Sequence, residues 1–135
     1  MNSPEQAEAF LRQWLAMIDN GAAPAEFFKH LPDGDFEQWS YPDAEIRDLE
    51  HLQTYFKDQW GALRSNRNTV TGISAQAEPN DRFGVVADVD WEAETTGGDT
   101  IRRPLTYALV LGTGTSSRDP AGQFPKIYRY KITRR

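Results

Sequence analysis

A chain of 135 residues, 39% of them hydrophobic, 12% aromatic and 26% charged, has the length of one domain and enough apolar mass for one core. Its formal net charge of −5 argues against recognition of nucleic acid or an anionic membrane through a basic surface. The lack of cysteine excludes disulfides, a cysteine nucleophile and cysteine-ligated zinc.

The opening segment, MNSPEQAEAFLRQWLAMIDN, has no basic stretch and is interrupted by Glu5, Glu8, Arg12 and Asp19, so it does not read as a signal peptide. No apolar run approaches the ~20 residues needed to cross a bilayer, and a cytoplasmic location is expected. Ser3-Pro4 followed by Glu5 and Gln6 predicts a helix start: a capping serine, then proline at the first helical position. Phe10, Leu11, Trp14, Leu15 and Ile18 share one helical face, and Asn20-Gly21 ends the run. A short second helix is predicted from Pro24 to about His30, burying Phe27, Phe28 and Leu31, before a turn at Pro32-Asp33-Gly34-Asp35.

Phe36 to Tyr41 alternates and predicts a first strand, ended by Pro42-Asp43. From Ala44 to about Arg64 a stripe of Ile46, Leu49, Leu52, Phe56, Trp60 and Leu63 predicts the third and longest helix, closed by Ser65-Asn66. Four strands follow, over Thr69–Glu78, Arg82–Thr95, Ile101–Gly112 and Phe124–Thr133. The turns between them are Pro79-Asn80-Asp81, Thr96-Gly97-Gly98-Asp99 and a longer loop, GTGTSSRDPAGQ. The order is ααβαββββ, one domain over residues 1–135 without internal repeats. Antiparallel strands joined by hairpins must bury one face, and the three helices carry the stripes to cover it. A curved sheet wrapped on helices gives an α+β cone with a mouth.

The segment WLAMIDNGAAPAEFFKHL, the pattern Ile46-x-x-Leu49-x-x-Leu52-x-x-x-Phe56, the strand VADVDWEAE and the final KIYRYKIT together resemble the NTF2-like superfamily, in its SnoaL-like and ketosteroid-isomerase-like branch. The resemblance spans nearly the whole chain and implies the cone fold. Ketosteroid isomerases use an aspartate base, an oxyanion-binding tyrosine and a second acid. The resemblance puts Tyr41, Trp14 and Tyr107 or Ala108 at those positions, so that acid–base set is missing here. Related dehydratases use histidines; this chain offers His30, a weak partner for Tyr41, and His51, a helix-surface residue.

Other clusters read as structural. In the strand holding Val85, Ala87, Val89 and Trp91, the acids Asp88, Asp90 and Glu92 fall on the opposite face, where Arg102 or Arg129 can pair with them. The glycine-rich loop lacks the lysine and helix of a phosphate loop; a long hairpin is expected, able to act as a flap over the mouth. The basic end RYKITRR reads as a solvated last strand. No metal site and no cofactor are expected.

By alternation, Trp39 and Tyr41 share a face. Together with Trp14, Tyr55, Trp60, Trp91, Tyr107, Tyr128 and Tyr130 they either fill the cone or line an apolar pocket. The expected ligand-binding set is Trp14, Trp39, Tyr41, Tyr55, Trp91, Tyr107 and Tyr130, with Tyr41 and His30 as the catalytic candidates. Three functions follow: a binder of a small apolar or aromatic molecule, an isomerase-, dehydratase- or cyclase-type enzyme, or an interaction module with a filled core. A homodimer through the outer sheet face is the expected assembly.

Overall fold

Helix α1 (Pro4–Asp19) begins as its sequence dictates in the computed structural model, which describes residues 1–135. Ser3 is extended, with φ −153° and ψ 156°, and its hydroxyl accepts from the Gln6 N–H. The helix ends at Asn20, where Gly21 supplies a left-handed φ of +64°. Asp19 ties that end to the sheet by accepting from the Asn68 backbone N–H and, at 2.7 Å, from the Asn68 side chain. Phe10, Leu11, Trp14 and Leu15 are buried, as the periodicity requires.

Helix α2 (Pro24–Phe28) is shorter than expected. Tighter turns carry on, from the His30 N–H to Phe27 and from the Leu31 N–H to Phe28. The Ile127 N–H then claims the His30 carbonyl at 2.8 Å and draws the chain into the sheet.

The largest departure lies between residues 38 and 61. Strand β1 (Gln38–Tyr41) and the short β2 (Ala44–Glu45) form a hairpin, and helix α3 runs only over Leu49–Gly61. The Ile46 N–H donates to the Trp39 carbonyl at 2.8 Å, which commits Ala44–Arg47 to extended pairing. Asp48 caps the helix by accepting from the His51 N–H at 2.9 Å, and His51 Nδ1 accepts from the Arg47 N–H. Ile46 therefore falls just after β2 and Leu63 opens the following strand, both outside the helix, although Leu52 and Phe56 are buried as the stripe requires.

Strand β3 (Leu63–Glu78) starts earlier than expected, and Ser65-Asn66 is strand instead of a helix end. Its partner is long: β4 (Arg82–Thr95) pairs with it from Leu63↔Thr95 to Glu78↔Arg82. Cross-strand pairing overrides the poor strand propensity of Ser, Asn and Arg. Asn80 and Asp81, at φ 64° and 57°, make the tight turn between them. Strands β5 (Thr100–Gly112) and β6 (Lys126–Arg134) complete a six-stranded sheet in the order β2-β1-β6-β5-β4-β3. Only β1 and β6 run parallel. Register shifts at Val70/Gly72 and Val110/Leu111 mark bulges, which bend the sheet around the helices.

One core fills the concave face. Val85, Ala87 and Val89 of β4, Leu105, Leu109 and Leu111 of β5, and Ile127 and Ile132 of β6 pack under α1 and its neighbours. Each fully buried aliphatic side chain contributes about 1.5–3 kcal/mol. The acidic row faces outward. The Thr106 hydroxyl donates to Asp88, Arg102 pairs with Glu92 and Arg135 with Asp90. Arg129, an expected partner for this row, instead pairs with Glu37.

The glycine-rich loop is held by a buried ion pair. Lys126 donates to Asp119, and Asp119 also accepts from the backbone N–H groups of Gln123 and Phe124. A Cβ at Gly114 would lie 2.6 Å from the Tyr128 hydroxyl oxygen, so the phenol would have to shift to admit one.

Candidate functional site

The wide end of the cone holds a cavity of about 340 Å³, within the range of ligand pockets. Fifteen of its 22 lining residues are hydrophobic. Trp14 and Ile18 of α1 form the roof with Phe27 of α2. Tyr55, Phe56, Gln59 and Trp60 of α3 form one wall, with the Phe56 and Trp60 rings stacked at 4.3 Å. Trp91 of β4, Leu105 and Tyr107 of β5, and Tyr130 and Ile132 of β6 form the floor. Tyr41, Pro42 and Asp43 close the side at the β1–β2 turn.

Phenols gather at the inner end. The Trp14 indole N–H donates to the Tyr130 hydroxyl at 3.2 Å. The Tyr41 ring lies 5.6 Å from that of Tyr130, and the Tyr107 ring stands perpendicular to Tyr130 at 6.1 Å. Loss of water raises the pKa of Tyr41, Tyr107 and Tyr130 well above the ordinary phenol value. All three stay protonated at neutral pH, so each keeps an O–H able to donate.

The outer part is more polar. The Tyr55 hydroxyl donates to Asp43 at 3.0 Å, and its pKa is raised by burial and by that carboxylate. The Trp91 indole donates to Asn66 at 3.0 Å. Arg103 and Arg134 reach the lining from the ends of β5 and β6. Asp43 is the one carboxylate on the lining.

Six of the expected ligand-binding residues meet in this cavity: Trp14, Tyr41, Tyr55, Trp91, Tyr107 and Tyr130. Trp39 does not. It shares the Tyr41 face, but its ring stacks flat on Tyr130 at 4.2 Å and 13°, so it supports the floor from behind. Its buried indole N–H makes no hydrogen bond of its own, yet lies close enough to the Tyr41 hydroxyl to favour that phenol's ionised form.

His30 is not a partner for Tyr41. It is buried on the far side of Trp14, with Nδ1 bonded to the Pro125 carbonyl at 2.9 Å and its ring edge-on to Phe10. Desolvation lowers its pKa, so the ring stays neutral near neutral pH. Its place at the end of α2 turns it toward the last strand, away from the mouth. Tyr128 also faces away: its hydroxyl donates to the Thr113 carbonyl and Arg82 covers its ring. The loop expected as a flap contributes nothing to the lining; its Ser117 instead binds Asp33 at the opposite end.

The sequence reading missed Asp43, Asn66, Arg103 and Arg134. A signal existed for the arginines, because Arg103 continues the inward alternation of Tyr107 and Leu105, and Arg134 that of Tyr130 and Ile132.

No protein-family model matches the sequence, and no curated protein matches it. Solved structures do. An uncharacterised protein with a cystatin-like fold from Caulobacter vibrioides superposes with a TM-score of 0.71 at 12% identity, covering 96% of this chain and 87% of its own. An NTF2-like superfamily protein from Salmonella enterica gives a TM-score of 0.74 at 11% identity, covering 96% and 89%. A hexachlorocyclohexane dehydrochlorinase from Novosphingobium barchaimii gives 0.69 at 12% identity, covering 96% and 86%. Likeness at such low identity establishes architecture and leaves activity open. No helix is long and apolar enough to cross a membrane. The three helices packed on the bent mixed sheet are the NTF2-like, cystatin-like fold.

Proposed function

We propose that this chain binds a small apolar or aromatic molecule in the cavity, with the phenols of Tyr41 and Tyr130 receiving the ligand's carbonyl or hydroxyl oxygen. The observation that carries this reading is the pairing of an apolar cavity with protonated donors at its inner end. Apolar walls supply affinity, and a few fixed polar groups supply orientation. The expected enzyme pair is not assembled, because His30 lies outside the lining. A filled core is also hard to reconcile with about 340 Å³ of open space.

The test uses 2-naphthol, an aromatic ring with one hydroxyl. Trp14, Trp60 and Trp91 line the cavity, so saturable quenching of tryptophan fluorescence is expected. Tyr41→Phe should weaken that binding. Absence of saturable binding at the solubility limit of the probe would overturn the proposal. A homodimer through the outer sheet face belongs to the same reading. That face presents Val86, 45% exposed, and sedimentation of the free protein tests it.

A further inference from the structure

Arg103 and Arg134, both exposed, line the cavity from neighbouring strands. Both continue inward-facing rows of their strands, and both lie on the lining. Arg134 is in register with Leu105, so Arg103, two residues along β5, is its diagonal neighbour. Such neighbours lie about 7–8 Å apart, within the reach of two long side chains.

Six of the eleven arginines of this chain are paired with acids, and these two, the only arginines on the cavity lining, are not. Arg64, Arg82, Arg102, Arg118, Arg129 and Arg135 each meet a carboxylate. Arg103 donates only to the carbonyl of Arg102, and Arg134 meets no acceptor. The nearby acids are otherwise engaged: Asp43 accepts from Tyr55, Glu92 is held by Arg102 and Glu94 by Arg64. Two adjacent guanidiniums repel each other, and each has N–H donors free. An arriving carboxylate removes both problems, since it bonds to arginine in a planar, charge-assisted way.

Resting on the cavity reading above, we infer that the ligand is two-ended. It is an aromatic carboxylate whose acid group is held at the mouth by Arg103 and Arg134 while a hydroxyl or carbonyl at its far end meets Tyr41 and Tyr130. The chain carries a net charge of −5, so an anion is repelled at long range and must be held locally. Only an acid group brought directly against the two arginines gains from the site.

The test compares 6-hydroxy-2-naphthoate with its primary amide, which has nearly the same shape and no charge. By calorimetry the acid should bind at least about tenfold more tightly, as charge-assisted bonds to arginine allow. The double substitution Arg103→Met, Arg134→Met keeps the apolar stems. It should erase that preference, so that on the substituted chain the acid binds no better than the amide. Equal binding of acid and amide, or a preference surviving the double substitution, would overturn the inference. If the amide binds and the acid binds no better, the cavity reading stands and this one falls. If 2-naphthol, the acid and the amide all fail to bind, both fall.

Discussion

Trp14 and Tyr130 meet through a 3.2 Å hydrogen bond from the indole N–H to the phenol oxygen, with ring centroids 5.9 Å apart. One lies on the first helix and the other on the last strand, so this contact joins the two ends of the chain and forms the inner end of the cavity. Trp14 is 1% exposed and Tyr130 also 1%, so neither can exchange its partner for bulk water.

Removing the indole tests that joint. Trp14→Ala should cost about 3–5 kcal/mol, as other large aromatic truncations in cores do. Trp14→Phe keeps most of the packing and loses the hydrogen bond, which should cost about 0.5–1.5 kcal/mol more than the change in ring size. Urea titration of both variants separates the two contributions. A cost below about 1 kcal/mol for the alanine variant would contradict a buried position.

Tyr41 and Trp39 share a strand face but should respond differently. Tyr41→Phe should leave the unfolding midpoint nearly unchanged and weaken 2-naphthol binding by about 0.5–1.5 kcal/mol. Trp39→Ala removes the ring that backs Tyr130 and should destabilise by about 3–5 kcal/mol. Any loss of binding in that variant should follow from a loosened Tyr130. Measuring stability and affinity on both variants checks the assignment.

The buried phenols make the fold sensitive to alkali. Burial raises the pKa of Tyr41, Tyr107 and Tyr130, so the native chain holds protons that the unfolded chain releases above about pH 10. Stability is intact below that value and falls as pH rises beyond it. Tyrosinate absorbance from these residues should therefore appear together with unfolding. Tyr107→Phe should move the alkaline unfolding midpoint upward.

Acid should act through Asp119. The Lys126 ammonium, with help from the Phe124 and Gln123 N–H groups, holds its carboxyl down at about 2. The unfolded chain takes up that proton near the ordinary carboxylate value of about 3.9. The stabilisation is present above that value and is lost as pH falls toward about 2. Between these limits the native chain should bind about one proton fewer than the unfolded chain. Asp119→Asn should abolish that part of the pH dependence, as read from urea midpoints measured across acid pH.

Much of this architecture is legible in the residues. Ser3-Pro4 starts a helix and Asn20-Gly21 ends it; the inner row Val85, Ala87, Val89 sets the phase of β4 and turns Asp88 and Asp90 outward. The misread parts depend on distant partners. Ala44–Arg47 has a helical stripe, but the Trp39 carbonyl takes the Ile46 N–H. Ser65-Asn66 looks like a helix end until β4 supplies a ladder for it. At the cavity, alternation pairs Tyr41 with Trp39, the resemblance turns that face inward, and Tyr107 and Tyr130 enter only as further aromatics. Alternation cannot reveal that Trp39 stacks behind Tyr130 or that His30 turns toward Pro125, since both depend on which strand lies beside β6.

The position of β6 has a consequence for how the chain is made. The last strand lies between β1 and β5, and Trp39 pairs in register with Tyr130. A ribosome therefore releases the β1–β2 hairpin and the β3–β4–β5 meander before the strand that joins them. Until β6 emerges, the aromatic faces of both halves lack a partner and are open to aggregation or chaperones. Premature termination just before Lys126 would leave two unconnected pieces of sheet instead of a slightly shortened domain.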